Sequence, residues 1–228
     1  MRANRLGLLC LLLALIGAVA AQGAETPDVL VKTTTEEVLS LIRQNKDRQK
    51  LLKLAEVKVS QHFDFSRMTR LAVGKGWQKA SAQQQQRLQK EFKDLLLRTY
   101  ANALSSAAHK DVSLTVKPLT LSAESKEATV RTVVAEPGHA PLPIDYQLEK
   151  SAQGWKVYDV IVEGISLVTN YRSSFDEEIS MSGIDGLIKV LVDKNRQLAA
   201  GKAATSAPQE NAGPHQVVLT LPRGAGWA

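Results

Sequence analysis

Side chains able to carry out acid–base chemistry are few in this chain and lie far apart in the sequence. Asp159 and Glu163 are four residues apart in a segment patterned like a strand, and paired carboxylates can act as general acid and base. No histidine or second motif lies near them to support catalysis. Such residues more often flank a turn or pair with lysine or arginine. An enzyme using Asp159 or Glu163 as its base is therefore an alternative rather than our first interpretation.

The histidines do not have the spacing of a metal site. None is followed by another histidine four residues later, and no HExxH or Cys/His pattern occurs. The chain also has no GxGxxG or GxxxxGK[ST] loop for phosphates, and Val168 stands where a GxSxG motif around Ser166 needs its second glycine. We therefore predict no catalytic residue, no metal ion and no cofactor. The four histidines are His62, His109, His139 and His215.

The first twenty residues have the order of a secretory signal peptide. Two arginines precede an apolar run over residues 6–16, and the small residues 18–20 (AVA) fit a cleavage site. The run is shorter than the ~20 apolar residues of a membrane-spanning helix, so an uncleaved anchor is the lesser alternative. Cys10, the single cysteine, lies in this segment. The exported chain would then contain no disulfide and would depend on a hydrophobic core.

The charge of the chain does not indicate a nucleic-acid partner. The net charge is +6, from 29 Lys and Arg against 23 Asp and Glu, and removal of residues 1–20 with their two arginines leaves +4. The basic residues are scattered and no aromatic–basic motif occurs, so we predict that the protein binds no nucleic acid. Mild basicity favours anionic membrane surfaces weakly.

Hydrophobic spacing changes along the chain from helical to strand-like and back. We predict helices from Pro27, over 49–60, after Asp64, from Ser81, and again over 167–175 and 184–198. Between them, alternation with a period of two predicts four strands of an antiparallel meander. This order indicates an α+β fold with helices on one side of the sheet. The predicted domains are a signal peptide (1–20), a single α+β domain (21–200) and a flexible tail (201–228), and no repeats occur.

The last predicted strand is apolar on both faces. Residues 155–168 read WKVYDVIVEGISLV, whereas a strand with one face in water alternates apolar and polar residues. Such a strand either lies between two covered layers or lines an apolar cavity inside a curved sheet. The pattern alone leaves both arrangements open.

Three blocks of this sequence resemble the MlaC family of periplasmic phospholipid-binding proteins, also known as toluene-tolerance auxiliary components. The first block is FDFSRMTRLAVGKGW with the following KASAQQQQRLQKEFKDLLLRTYANAL, the second is GWKVYDVIVEGISLVTNYRSSF, and the third is GIDGLIKVL. With the signal peptide they span about residues 1–200. Leu88 departs from the pattern, since many members carry an aromatic residue there.

The resemblance implies a fold and a function. The fold would be a helix-plus-curved-sheet cone similar to that of nuclear transport factor 2, with a cavity for acyl chains and the headgroup outside. The bound phospholipid would be cargo, carried between an outer-membrane lipoprotein–porin complex and an inner-membrane ABC transporter with its ring-forming subunit. We expect a monomer in the periplasm, with a cavity near the upper end of the ~300–1,000 Å³ usual for ligand pockets.

The patterning, rather than the resemblance, suggests which residues line such a cavity. Apolar positions on the helices and on the sheet would form two facing walls. Basic residues between positions 67 and 79 would form a rim near the lipid headgroup or a partner. The alternative is that these residues, Arg67, Arg70, Lys75 and Lys79, are ordinary solvated charges. The predicted helical wall is Met68, Leu71, Phe92, Leu96 and Tyr100, and the predicted sheet wall is Tyr146, Leu148, Tyr158, Val160, Val162 and Ile165.

Three other functions compete with a phospholipid carrier. The first is the enzyme on a similar cone-shaped fold, such as an isomerase or hydratase. The second is an interaction module with a filled core that bridges envelope complexes. The third is a carrier of another lipid, such as a hopanoid. A filled interior would favour the interaction module.

Overall fold

The computed structural model describes residues 25–44, 48–107, 112–122 and 124–200. In this part of the chain, helices come first, an antiparallel sheet follows, and a long helix completes the fold. The predicted α+β class and the predicted order of elements are therefore confirmed. The predicted signal peptide, the predicted tail, His109 and His215 lie outside the described residues.

The helices begin where short-range sequence signals favour a helix start. Asp64 caps α3, since its Oδ1 accepts a hydrogen bond from the backbone N–H of Arg67 at 2.8 Å. Ser81 and Gln84 form a reciprocal capping box before α5, with bonds of 2.9 and 3.2 Å. The predicted helix starts after Asp64 and at Ser81 are therefore confirmed. The helices are α1 (Pro27–Gln44), α2 (Arg48–His62), α3 (Phe65–Val73), α4 (Gly76–Lys79), α5 (Ala82–Ala107) and α6 (Leu167–Ala199).

Helix α6 is interrupted once, between the two helices that the sequence predicts. Gly183 has φ 72° and ψ −174°, a conformation that glycine adopts without the steric penalty of a Cβ. Gly186 is helical, but a Cβ there would collide with the side chain of Ser182. One glycine therefore changes the direction of the backbone, and the other permits close packing.

The sheet has five strands in the order β1-β2-β3-β4-β5, and every neighbouring pair is antiparallel. Four strands were predicted, and the additional one is β5. Glu163 and Gly164 form a two-residue turn with φ values of 50° and 82°, as a type I′ hairpin requires. A strand of two residues is too short to show alternation. The strands are β1 (Ser113–Val116), β2 (Glu127–Ala135), β3 (Leu142–Ser151), β4 (Gly154–Val162) and β5 (Ile165–Ser166).

A β-bulge in β4 decides which of its side chains face the helices. Tyr146 of β3 pairs with Val160, but Leu148 pairs with Val157, so β4 contains one more residue than β3 in this interval. The extra residue shifts the alternation. As a result Val157 and Val160 share one face despite their odd spacing, while Tyr158 lies on the other.

Buried apolar residues form two clusters. The helical core joins α3, α5 and α6, and the sheet cluster joins α1 to β2, β3 and β4. The helical core consists of Met68, Ala72, Val73, Ala80, Leu88, Phe92, Leu95, Leu96, Val168, Tyr171, Phe175, Leu187, Ile188 and Leu191. The sheet cluster consists of Leu30, Val31, Ala128, Val130, Leu148, Trp155 and Val157.

Candidate functional site

An apolar cavity of about 390 Å³ lies between the sheet and the helices. Its walls come from α1, the end of α2, the start of α3, α5, all five strands and the first turn of α6. This volume is near the lower end of the range for ligand pockets. The expectation of a cavity near the upper end is therefore wrong for this structure, because α1 packs across the sheet and its Leu30 and Val31 belong to the sheet cluster.

The sheet wall follows from strand alternation. Even-numbered positions of β1, β2 and β3 point toward the helices, as successive side chains of a strand alternate between faces. The bulge and the type I′ turn extend this wall along β4 and β5. The central side chains of the wall are Leu114, Val134, Ile144, Tyr146, Val160 and Val162.

The helical wall is shared by α5 and α1. Leu96, Leu97 and Tyr100 come from the second half of α5, and Leu30 and Val38 come from α1. Helix α1 was not among the predicted wall segments, although its apolar residues recur at helical spacing. That spacing is the signal that predicts an inward-facing stripe.

Seven of the eleven predicted wall residues line the cavity, and four do not. Contact of the seven with a ligand stays a prediction. The residues at the cavity are Met68, Leu96, Tyr100, Tyr146, Val160, Val162 and Ile165; the residues elsewhere are Leu71, Phe92, Leu148 and Tyr158.

Phe92 and Leu148 are too deeply buried to reach the cavity. Phe92 meets Tyr171 and Phe175 with ring centroids 4.8 and 5.2 Å apart, inside the helical core. Leu148 is fully buried in the sheet cluster. Both have the correct facial position for the predicted walls, but neighbouring side chains fill the space in front of them. Leu71 likewise packs against the helical core.

Tyr158 belongs to an electrostatic cluster on the opposite face of the sheet. The Arg67 guanidinium lies 3.6 Å from the centroid of its ring. Arg67 also bonds to Glu127 at 2.9 Å and to Glu149, two carboxylates that face each other across β2 and β3. Because like charges directly opposite are destabilising, Arg67 stabilises the sheet here and ties α3 to it. The predicted basic rim is therefore wrong for Arg67, while Arg70, Lys75 and Lys79 are exposed.

The described residues that line the cavity include no Asp, Glu, Lys or Arg. Thr35 forms a side-chain hydrogen bond to Tyr146, whose pKa is raised by burial, so the phenol stays protonated at neutral pH. His62 is the one described lining residue whose side chain can become charged near neutral pH. Burial, followed by repulsion from Lys156, lowers the pKa of His62 below its usual value. The lining is therefore neutral at pH 7.

The Asp159 and Glu163 carboxylates do not form the predicted pair on one strand. Asp159 is buried, and its carboxylate accepts hydrogen bonds from the N–H groups of Val160 (2.8 Å) and Val168 (3.1 Å) and from the Ser166 hydroxyl (2.6 Å). Glu163 lies beyond the end of β4 in the type I′ turn and is exposed. The Asp159 carboxylate thus fixes the start of α6 to β4, a structural role.

Two further findings concern metal binding and membrane-spanning helices. Among the described residues, no group of three or more His, Cys, Asp or Glu side chains is arranged to hold a metal ion. Within the same ranges, no helix has the length and apolar character needed to cross a membrane.

Comparison with known proteins relates this chain to a family. The MlaC protein family model matches residues 32–193. The toluene tolerance protein ttg2D of Pseudomonas putida is 30% identical over 224 residues, 94% of this chain and 97% of that protein. The intermembrane phospholipid transport system binding protein MlaC of Haemophilus influenzae is 23% identical over 175 residues, 72% of this chain and 80% of that protein.

A solved structure resembles three quarters of this chain. It is the phospholipid-binding protein of Ralstonia solanacearum in complex with a phospholipid, which is 36% identical, with a TM-score of 0.69. The match covers 75% of this chain and 98% of that chain. From the family match over residues 32–193 and the identity to ttg2D, this chain belongs to the MlaC family.

Proposed function

We propose that this protein is a phospholipid carrier whose cavity holds acyl chains. The observation that carries the proposal is the apolar cavity, whose described lining residues include none with a permanent charge. The proposal is supported by the Ralstonia solanacearum relative, which was solved in complex with a phospholipid. In this role the lipid is cargo and not a cofactor.

The hydrophobic effect explains why such a carrier needs a cavity. Each CH₂ group removed from water contributes ~0.8 kcal/mol, so an acyl chain crosses an aqueous compartment slowly unless a protein shields it. Valine, leucine and isoleucine side chains offer the chain an environment similar to that of a bilayer. Binding is then favourable without being so tight that the lipid cannot leave.

The neutral lining supports a position of the headgroup outside the cavity. Burial of a phosphate without a compensating cation is strongly unfavourable. The described lining contains no lysine or arginine, so the phosphate stays outside, at the mouth of the cavity. Ile165 lies at this mouth, since it lines the cavity and is 45% exposed.

The proposed pathway places the carrier in the periplasm after removal of residues 1–20. There it would exchange lipid between an outer-membrane lipoprotein–porin complex and an inner-membrane ABC transporter with its ring-forming subunit, and so maintain the lipid asymmetry of the outer membrane. The family and the printed name of the Haemophilus influenzae relative, a binding protein of an intermembrane phospholipid transport system, support this role.

The enzyme alternative loses its support from geometry. The three hydrogen bonds to the Asp159 carboxylate come from the backbone and from Ser166, and Glu163 lies in an exposed turn. A hopanoid or another lipid remains the second candidate for the cargo, because an apolar lining does not by itself select among hydrocarbon shapes.

Mass spectrometry of the bound lipid tests the proposal. The protein is purified from the periplasm without detergent, extracted with organic solvent, and the extracted lipid is quantified against protein. We expect diacyl phospholipid in near-stoichiometric amount. A polycyclic lipid would support the second candidate, and a protein free of lipid would contradict the carrier.

A further inference from the structure

Three polar side chains in the cavity wall, those of Thr35, Tyr146 and Ser166, already have partners within the protein. The side chains of Tyr146 and Thr35 are hydrogen-bonded to each other. The Ser166 hydroxyl donates to Asp159 and accepts from the backbone N–H of Thr169 at 3.0 Å. These groups contribute little to ligand selection, because a ligand would have to break an existing hydrogen bond to engage them.

Tyr100 and Asn170 differ from these groups. Both side chains line the cavity, and neither forms a side-chain hydrogen bond with any residue that the structure describes. Tyr100 comes from α5, and Asn170 comes from the first turn of α6. Tyr100 interacts electrostatically with Tyr171, which follows Asn170 in the chain, so the segments of α5 and α6 that contribute the two polar groups to the cavity are neighbours.

A polar group that faces an apolar cavity without a partner is unfavourable unless a ligand supplies one. Burial raises the pKa of Tyr100 well above its usual value, so its hydroxyl remains protonated and can donate. The Asn170 amide carries two N–H donors. The matching ligand group is therefore a hydrogen-bond acceptor located within the hydrocarbon-binding region.

The charge of the lining decides which acceptor fits. A phosphate oxygen is excluded by the absence of lysine and arginine from the described lining residues. A phospholipid carries one other kind of strong acceptor near its chains, the ester carbonyl of each acyl chain, which is neutral. An ether-linked lipid with the same chains lacks this carbonyl and offers only a weaker ether oxygen.

We infer that Tyr100 and Asn170 donate hydrogen bonds to an ester carbonyl of the bound lipid and so make the cavity selective for ester-linked over ether-linked chains. This inference rests on the proposed function. It identifies two specificity-determining side chains and places the glycerol end of the acyl chains beside α5 and α6.

A competition between two matched lipids tests the inference. The full-length exported protein is incubated with vesicles that contain equal amounts of diester and diether phosphatidylglycerol with identical saturated chains, and the lipid bound after re-isolation is quantified by mass spectrometry. One or two hydrogen bonds correspond to roughly three- to tenfold enrichment of the diester. In Tyr100→Phe the enrichment should fall toward one, and in Asn170→Ala it should fall partially.

Tyr171→Phe is the matched control. The Tyr171 hydroxyl is buried without a partner among the described residues, and Tyr171 belongs to the helical core and not to the cavity lining. Enrichment in Tyr171→Phe should equal that of wild type, and a thermal melt of each variant checks that it is folded.

The outcomes separate the inference from the proposed function. Equal uptake of both lipids by the wild type, or full enrichment retained by folded Tyr100→Phe and Asn170→Ala, would overturn the ester assignment while leaving the carrier intact. Uptake of neither lipid would overturn the carrier itself, and the ester assignment with it.

Discussion

The helical core and the cavity are made of similar side chains but differ in how completely these fill space. In the helical core, the rings of Phe92, Tyr171 and Phe175 meet with centroids 4.8 to 5.5 Å apart and occupy the space between α5 and α6. At the cavity, α1 and α5 face the sheet across about 390 Å³ that no side chain of the described residues occupies. Apolar composition therefore does not distinguish a filled region from a hollow one; the placement of large rings does.

The two regions are joined by shared residues. Met68 and Leu96 belong to the helical core and also line the cavity. Their positions are fixed from behind by closely packed neighbours, so one wall of the cavity has the low compressibility of a protein interior. A hollow region can persist because the filled region holds this wall in place. Substitutions that affect one region and not the other test this division.

The largest expected effect on stability is in the helical core. Leu88 on α5 is fully buried, and Leu88→Ala leaves an enclosed void, so we expect the free energy of unfolding to fall by about 2–5 kcal/mol. Urea unfolding measures this change. Lipid bound per folded molecule should stay at the wild-type level; a loss of lipid equal to that of a cavity variant would show that the two regions are not separate.

A smaller effect is expected where β4 meets α6. Asp159→Asn replaces the charged acceptor of three hydrogen bonds, and we expect a loss of about 1–2 kcal/mol in unfolding free energy. Lipid content and function in cells should be retained. A stable Asp159→Asn variant that binds lipid normally but has lost function in cells would revive the enzyme alternative.

Leu97→Ala is the partner experiment to Leu88→Ala, with the same chemical change on the same helix. Leu97 lines the cavity and is half-buried, so its truncation enlarges an existing space and creates no new enclosed void. We expect a loss below ~1.5 kcal/mol in unfolding free energy. A loss as large as that of Leu88→Ala would mean that the cavity wall is packed like a solid core.

The smallest expected effect is on the pH dependence of the unfolding free energy. The pKa of His62 is lowered, first by burial and then by Lys156, so the folded state disfavours the charged imidazole. The unfolded chain takes up its proton near pH 6.5, which means that folding stability falls as the pH drops through and below this value. His62→Gln should make the decrease in unfolding free energy between pH 7 and pH 5 shallower. Parallel curves for both proteins would exclude this contribution.

The sequence predicts the elements of this fold well because their signals are local. The cap at Asp64, the capping box at Ser81 and the period of two in β1 to β3 each depend on residues only a few positions apart. The break at Gly183 was similarly visible as the gap between two helical patterns. In each case the physical cause lies within one or two turns of the chain.

The cavity was predicted less completely because its shape depends on distant contacts. The bulge at Tyr158 is visible only once β3 and β4 are paired, and it moves Tyr158 to the far side of the sheet. Phe92 and Leu148 have the periodicity of wall residues, but neighbours from other elements cover them. Arg67 finds its carboxylate partners 60 and 82 residues away. Periodicity assigns a face to a residue, not the depth at which it lies.

One pair of valines tests the central claim, that the hollow region holds the lipid, most directly. Val160→Glu places a carboxylate in the cavity wall, and Val133→Glu places the same group on β2, where the alternation with Val134 puts it on the opposite face of the sheet. The measurement is phospholipid per protein after purification from the periplasm without detergent. We predict wild-type lipid content for Val133→Glu and almost none for folded Val160→Glu. Wild-type lipid content in folded Val160→Glu would contradict the account.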